Sequence, residues 1–267
     1  MTQFIYTGAS TASKAFYTEE GNDDLSQLVN LGKLFSVYSG YEMISETDYG
    51  KPNKFLMDKI IESGHSKDIP IFWVYADPIM GLFFDGAGRT FPELPKANLS
   101  IAYKLITEKG WLDTLYEIAD AELAYLNSTG YRIGFVGSSG DINPLQVEKY
   151  ENLTVIDESW KGLLARESGI KFDQLYFNST VLHQIVNIFF PLDNQDWTTL
   201  WKNDPTELKG LKNINPDIVD LIYNIYKLRN DLEDAECFLG VHPNIKGNML
   251  YHEHIKERVK KFIDGEL

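Results

Sequence analysis

The run "IPIFWVY" at positions 69–75 is apolar at successive positions rather than at every second one. A strand with one face in water alternates, whereas a strand covered on both faces does not, and such burial belongs to parallel sheets flanked by helices. That requirement excludes most all-β arrangements and asks the rest of the chain for helices on two sides.

The flanking sequence supplies them. Strand-like segments at 3–7, "YEMIS" (41–45), "YRIGFVG" (131–137) and "LTVID" (153–157) alternate with helical ones. In 23–40 the apolar positions Leu25, Leu28, Leu31 and Phe35 recur at helical spacing and Gly40 ends the run. Segment 52–64 has Pro52 in its first turn and Gly64 after its end. A third helix is expected over about 99–127, with Leu112, Leu115, Tyr116, Ala119, Leu123 and Leu126 on one stripe before Gly130. The Gly- and Pro-rich stretch 81–100 reads as an excursion or lid. Helical patterns continue from 158, including 180–190 and 215–236, and the chain closes with an amphipathic segment over 248–263. This order predicts one α/β domain over 1–267 with a central parallel sheet and an irregular helical insertion at about 157–214, two domains being the alternative.

Composition narrows the partners. With 25 Lys and Arg against 39 Asp and Glu, the net charge is −14, which opposes a cationic track for nucleic acid and an anionic membrane surface. No apolar run approaches a bilayer span. The single cysteine, Cys237, leaves no internal disulfide and no cysteine-based zinc cluster, and reads as a buried small hydrophobe. "MTQFIYTG" lacks the basic start and long apolar core of a signal peptide, so a cytoplasmic location is expected, and a virion component fits the same features. Oligomeric state is left open.

In an open parallel sheet the carboxyl ends of the strands form one rim, where ligands bind. The loops after 7, 45, 75 and 137 carry Ser10, Gly50, Asp77 and the pair Ser138 and Ser139. To these "GVHPNIKGN" (240–248) adds His242 on a loop ahead of the last helix. A serine hydroxyl beside an imidazole that accepts its proton is the elementary unit of acyl transfer. His252 and His254, two apart on a helix, point to different faces and do not form the i, i+4 pair of a metal site. Asp113, Asp120 and Glu122 are read as the solvated face of their helix, and His65 as a surface-turn residue.

A first strand ending in Gly-x-Ser, "TGASTAS" (7–13), and the closing "HPNIKGNMLYHEHIKERVKKFI" (242–263) resemble the SGNH, or GDSL, hydrolases. That family has Gly-Asp-Ser at the first position, some phage-borne relatives have Gly-Cys-Ser, and its last helix follows a His-Pro-Asn and a glycine. The resemblance implies a three-layer α/β/α sandwich with a central parallel sheet of the flavodoxin-like kind, and a serine hydrolase of ester-linked acyl groups, such as O-acetyl groups on carbohydrate, working without a cofactor. Ser10 would be its nucleophile and His242 its general base. It further implies oxyanion donors from the Ser10 N–H, from Gly50 in "DYGKPN", and from a residue after the third strand. Two positions depart from the family. The oxyanion asparagine is absent from "YADP" (75–78), where Asp77 stands instead, and an ionised carboxylate opposes an oxyanion. The family's acid lies three residues before the histidine, and that position is Leu239 in "FLGVHP". Neutralising the acid of a Ser-His-Asp triad costs about four orders of magnitude. Asp234 or Glu236, on the preceding segment, are the carboxylates nearest in sequence.

Two other classes fit the same residues. A non-catalytic binding or structural protein, for example a phage component, would keep the fold without the acid. A nucleotide-sugar-dependent transferase would use the backbone N–H groups of "GFVGSSGD" (134–141) to cradle phosphate, although that loop lacks the lysine of a P-loop.

Overall fold

The computed structural model describes residues 2–8, 12, 30–48, 51–76, 111–137, 147–157, 159–169, 237–239 and 242–267. These contain β1 (Gln3–Gly8), α1 (Leu31–Ser39), β2 (Glu42–Ser45), α2 (Asn53–Glu62), β3 (Ile71–Tyr75) and α3 (Trp111–Ser128). There follow β4 (Ile133–Gly137), β5 (Leu153–Asp157), α4 (Trp160–Glu167), a short hairpin of β6 (Phe238–Leu239) and β7 (His242–Pro243), and α5 (Ile245–Asp264).

Strands β1 to β5 form one sheet in the order β2-β1-β3-β4-β5, and every neighbouring pair is parallel. The chain goes from β1 to one side for β2 and to the other for β3, so the order reverses between β1 and β3. This is the order of flavodoxin-like doubly wound sheets, whose ligand crevice opens at that reversal.

Alternation along the strands divides the core into two layers. Phe4 and Tyr6 of β1, Phe72 and Val74 of β3, Val136 and Ile156 pack with Leu31 and Phe35 of α1, Trp160, Leu163 and Leu164 of α4, and Tyr251, Ile255, Val259, Phe262 and Ile263 of α5. On the opposite face Ile5, Ile71, Trp73, Tyr75, Ile133 and Phe135 pack with Leu56, Met57 and Ile60 of α2 and Leu123 and Leu126 of α3. All five residues of β3 are buried, as its unbroken apolarity requires.

The helix ends follow their sequences. Asn30 caps α1 by accepting from the Lys33 N–H, and Gly40 ends it in the left-handed conformation. Ser159 caps α4 through the Gly162 N–H at 2.9 Å, and Asn244 caps α5 through the Gly247 N–H at 3.0 Å. The predicted helices at 23–40 and 99–127 are seen at Leu31–Ser39 and Trp111–Ser128, and their remaining parts lie outside the described residues. Of the insertion expected at 157–214, residues 157 and 159–169 are described: Asp157 closes β5, and Trp160 and Leu164 of α4 belong to the core.

Candidate active site at the carboxyl rim

Because β1 is flanked by β2 and β3, the chain leaving these three strands departs from adjacent points on one rim. Those departures lead to Ser10, Gly50 and Asp77.

The first departure is sharp. Gly8, the last residue of β1, has φ +149°, and a β-carbon there would lie 2.5 Å from Ala12 Cβ and 2.7 Å from the Val74 carbonyl oxygen. Only glycine fits this conformation so close to β3, and it stands two residues before Ser10 in the sequence.

The second departure stays tied to the first. Beyond the end of β2, the Glu46 N–H donates to the Tyr6 carbonyl at 2.9 Å and the Asp48 N–H to the Gly8 carbonyl at 3.3 Å. The Thr7 hydroxyl donates to the Glu46 carbonyl at 3.0 Å. The segment leading to Gly50 is thereby held along β1 as far as Gly8.

The third departure is held by side chains. Ala76, the residue after β3, donates its N–H to Asn53 Oδ1 at 2.9 Å and accepts from Asn53 Nδ2 at 2.9 Å. Nδ2 also donates to Glu122 Oε2 at 2.9 Å, and the Tyr75 hydroxyl donates to the same oxygen at 2.6 Å. Glu122 is therefore not on a solvated face, because it stands under the end of β3 as a shared acceptor. Asp120, two residues earlier on the helix, accepts from Lys149 Nζ and from the Tyr150 hydroxyl. The side chain of Asp113 lies outside the described residues. Asn53 and Glu122 escape a reading by periodicity because each sits in an amphipathic helix, where a polar residue is by default assigned to water. The available signal was "KPNK": a helix opening on proline has no side-chain cap, and the amide after it is free to serve another element.

The histidine of the closing motif lies in β7. The β6–β7 hairpin is antiparallel, with Leu239 in register with His242, so the position three residues before the histidine is its partner across the hairpin. The Asn244 N–H donates to the Cys237 carbonyl at 3.0 Å and continues this pairing into the first turn of α5. Cys237 is buried and free, as expected for a small hydrophobe. Ser10, Gly50, Asp77, Ser138, Ser139, Asp234 and Glu236 lie outside the described residues, as does the side chain of His242.

The remaining described histidines have separate surroundings. His252 is buried and meets the Tyr38 ring edge-on at 5.7 Å, and burial holds its imidazole below the ordinary histidine range. His254 is largely exposed, with Nε2 3.5 Å from Asp157. The two therefore face different neighbours, as their spacing of two predicts. His65 is not a free turn residue, since its Nε2 lies 2.7 Å from Glu46 Oε1, a carboxylate that Lys59 also approaches at 3.6 Å. Among the described residues no group of three His, Cys, Asp or Glu could hold a metal ion, and no helix is long and apolar enough to cross a membrane.

No protein-family model matches this chain, and no curated protein matches it either.

Proposed function

We propose that the chain is a serine-dependent hydrolase of ester-linked acyl groups, with carbohydrate O-acetyl esters as a representative substrate. What supports this reading is the position of β1. It lies at the point where the strand order reverses, it ends in a glycine turned tightly against β3, and a serine follows two residues later. Ser10 Oγ attacks the acyl carbon while His242 takes its proton and returns it to the leaving alcohol. The backbone N–H groups of Ser10 and Gly50 hold the oxyanion, with Asp77 bordering it. Water activated by His242 then hydrolyses the acyl-enzyme, and Asp234 is the carboxylate proposed to orient the imidazole. No cofactor enters this chemistry.

A second reading, a non-catalytic binding or structural module, draws on one observation. The hairpin partner of His242 is Leu239, an apolar residue at the position of the family's acid. A fluorophosphonate probe separates the two. The hydrolase reading expects covalent labelling of the folded chain at Ser10, lost in Ser10→Ala and strongly reduced in His242→Ala, together with turnover of a chromogenic acetate ester. A folded protein that takes no label and turns over no ester overturns it in favour of the module.

A further inference from the structure

The ladder of β3 ends at its last residues. Val74 pairs with Gly8 of β1 and Tyr75 with Gly137 of β4, so Ala76 is the first residue beyond the sheet. Its two backbone groups are nevertheless both satisfied, and by one side chain. The Asn53 amide gives an acceptor to the N–H and a donor to the carbonyl, as a neighbouring strand would. Asn53 is only 1 % exposed. Its second amide hydrogen goes to Glu122 Oε2, whose place is fixed in turn by the Tyr75 hydroxyl. The amide therefore has one orientation that satisfies the network, because a flip would set its NH2 against the Ala76 N–H and its oxygen against the Ala76 carbonyl.

The sequence position of this clasp is its significance. Asn53 stands three residues after Gly50 and Ala76 one residue before Asp77. We infer that Asn53 is a positioning residue that fixes the end of β3 to the start of α2 and so sets the spacing between the segments carrying Gly50 and Asp77. The use of that spacing, to aim oxyanion donors, rests on the acyl-transfer reading above. The clasp itself does not. Donors for a developing oxyanion must be held within about 0.5 Å, and a buried amide with each hydrogen committed supplies that stiffness where the sheet no longer can.

The test compares full-length wild type with Asn53→Ala, Asn53→Asp and Ile60→Val, the last a control that loosens α2 without touching Ala76. Hydrogen exchange is read by peptide and, at Ala76, by residue. In Asn53→Ala the Ala76 amide and peptides 46–51 and 76–80 should exchange about tenfold faster or more, the order expected when buried hydrogen bonds are lost. Peptides from β5 and α5 should be unchanged. Asn53→Asp keeps the acceptor for the Ala76 N–H but sets an oxygen against the Ala76 carbonyl and Glu122, so exchange at Ala76 should exceed wild type at the same pH and the excess should grow as the carboxylate ionises, which preserves a readout if the alanine variant does not fold. Fluorophosphonate labelling of Ser10 should slow about 10²-fold in Asn53→Ala, the scale of a small misplacement, with its pH midpoint unmoved, and should be near wild type in Ile60→Val. Unchanged exchange at Ala76, an increase spread evenly over the chain, or wild-type labelling in Asn53→Ala overturns the inference. If wild type takes no label and the local exchange still rises, the clasp stands and the acyl-transfer reading falls.

Discussion

Gly134 of β4 supports the ring of Phe262 of α5 directly on its α-carbon: a β-carbon at position 134 would lie 2.7 Å from Cδ1 and Cε1 of that ring. Phe262 is fully buried and the Arg132 guanidinium stacks on it 4.9 Å from the ring centre, so the ring has nowhere to recede. Gly134→Ala should destabilise the chain by about 1–3 kcal/mol, the usual cost of overpacking a core. Chemical denaturation of Gly134→Ala, Phe262→Leu and the double variant checks this. The smaller side chain should recover much of the loss, and additive effects would refute a direct clash.

Arg132 does more than cover that ring. Its Nη2 donates to the Ile263 carbonyl at 2.9 Å and its Nη1 to the Phe262 carbonyl, which also accepts from the Gly265 N–H at 3.1 Å, so the guanidinium adds to the cap that closes α5. Loss of charged hydrogen bonds of this kind costs about 1.5–3 kcal/mol. Arg132→Met should lose an amount in that range, and Arg132→Lys should recover less than half, because a lone ammonium cannot fork to two carbonyls. Equal stability of the Met variant and wild type in urea would show that solvent serves these carbonyls as well.

The sheet was legible because its signals are local. Continuous apolarity at Ile71–Tyr75, the stop at Gly40 and the turn signal at Gly64 each depend on a few adjacent residues, and the strands appear within about two residues of where these signals put them. The β6–β7 hairpin was not legible, since two-residue strands carry no period. Asn53 and Glu122 were not legible for a different reason: the partner of each is 23 or more residues away, and only the packed fold brings Ala76 and Tyr75 to them. Of the candidate site, the sequence motifs named the residues, and the strand order explains why loops so far apart in the chain leave one rim. Gly8 joins the two levels, because the same glycine that marks the motif is the residue that a close approach to Val74 demands.

His252 should make stability depend on pH. Burial disfavours its cation, and Lys256 adds to this while Glu253 opposes it. From α1 it meets Tyr38, and its Nε2 has no partner among the described residues. With a folded pKa below the unfolded value of 6.5, the unfolded chain binds the proton more readily. The contribution of the neutral imidazole is therefore complete above pH 6.5 and is lost as pH falls through the folded pKa. His252→Phe keeps an aromatic edge against Tyr38 and removes the titration. Unfolding free energies of the two proteins should run parallel above about pH 7, and wild type should lose stability relative to His252→Phe toward pH 5, whereas parallel curves throughout would show that burial does not disfavour the cation.

The glycine of the closing motif, Gly247, should prove irreplaceable for a reason of packing. A β-carbon there would lie 2.4 Å from the Cys237 carbonyl oxygen, with Leu164 Cδ1 at 3.2 Å and Pro243 Cβ at 3.3 Å. The carbonyl is backbone and already accepts from the Asn244 N–H, so it cannot swing aside. Relief requires the first turn of α5 to lift from the hairpin that carries His242. Alanine gains about 1 kcal/mol over glycine in helix propensity, which overpacking at a backbone contact exceeds. Gly247→Ala should therefore lower the thermal midpoint and, on the acyl-transfer reading, reduce labelling of Ser10 further than Gly134→Ala does at matched stability. The two substitutions add the same methyl group to the same side of the sheet, and only one of them stands at the hairpin. Equal labelling in both variants would mean that the hairpin's seat on α5 does not govern the site.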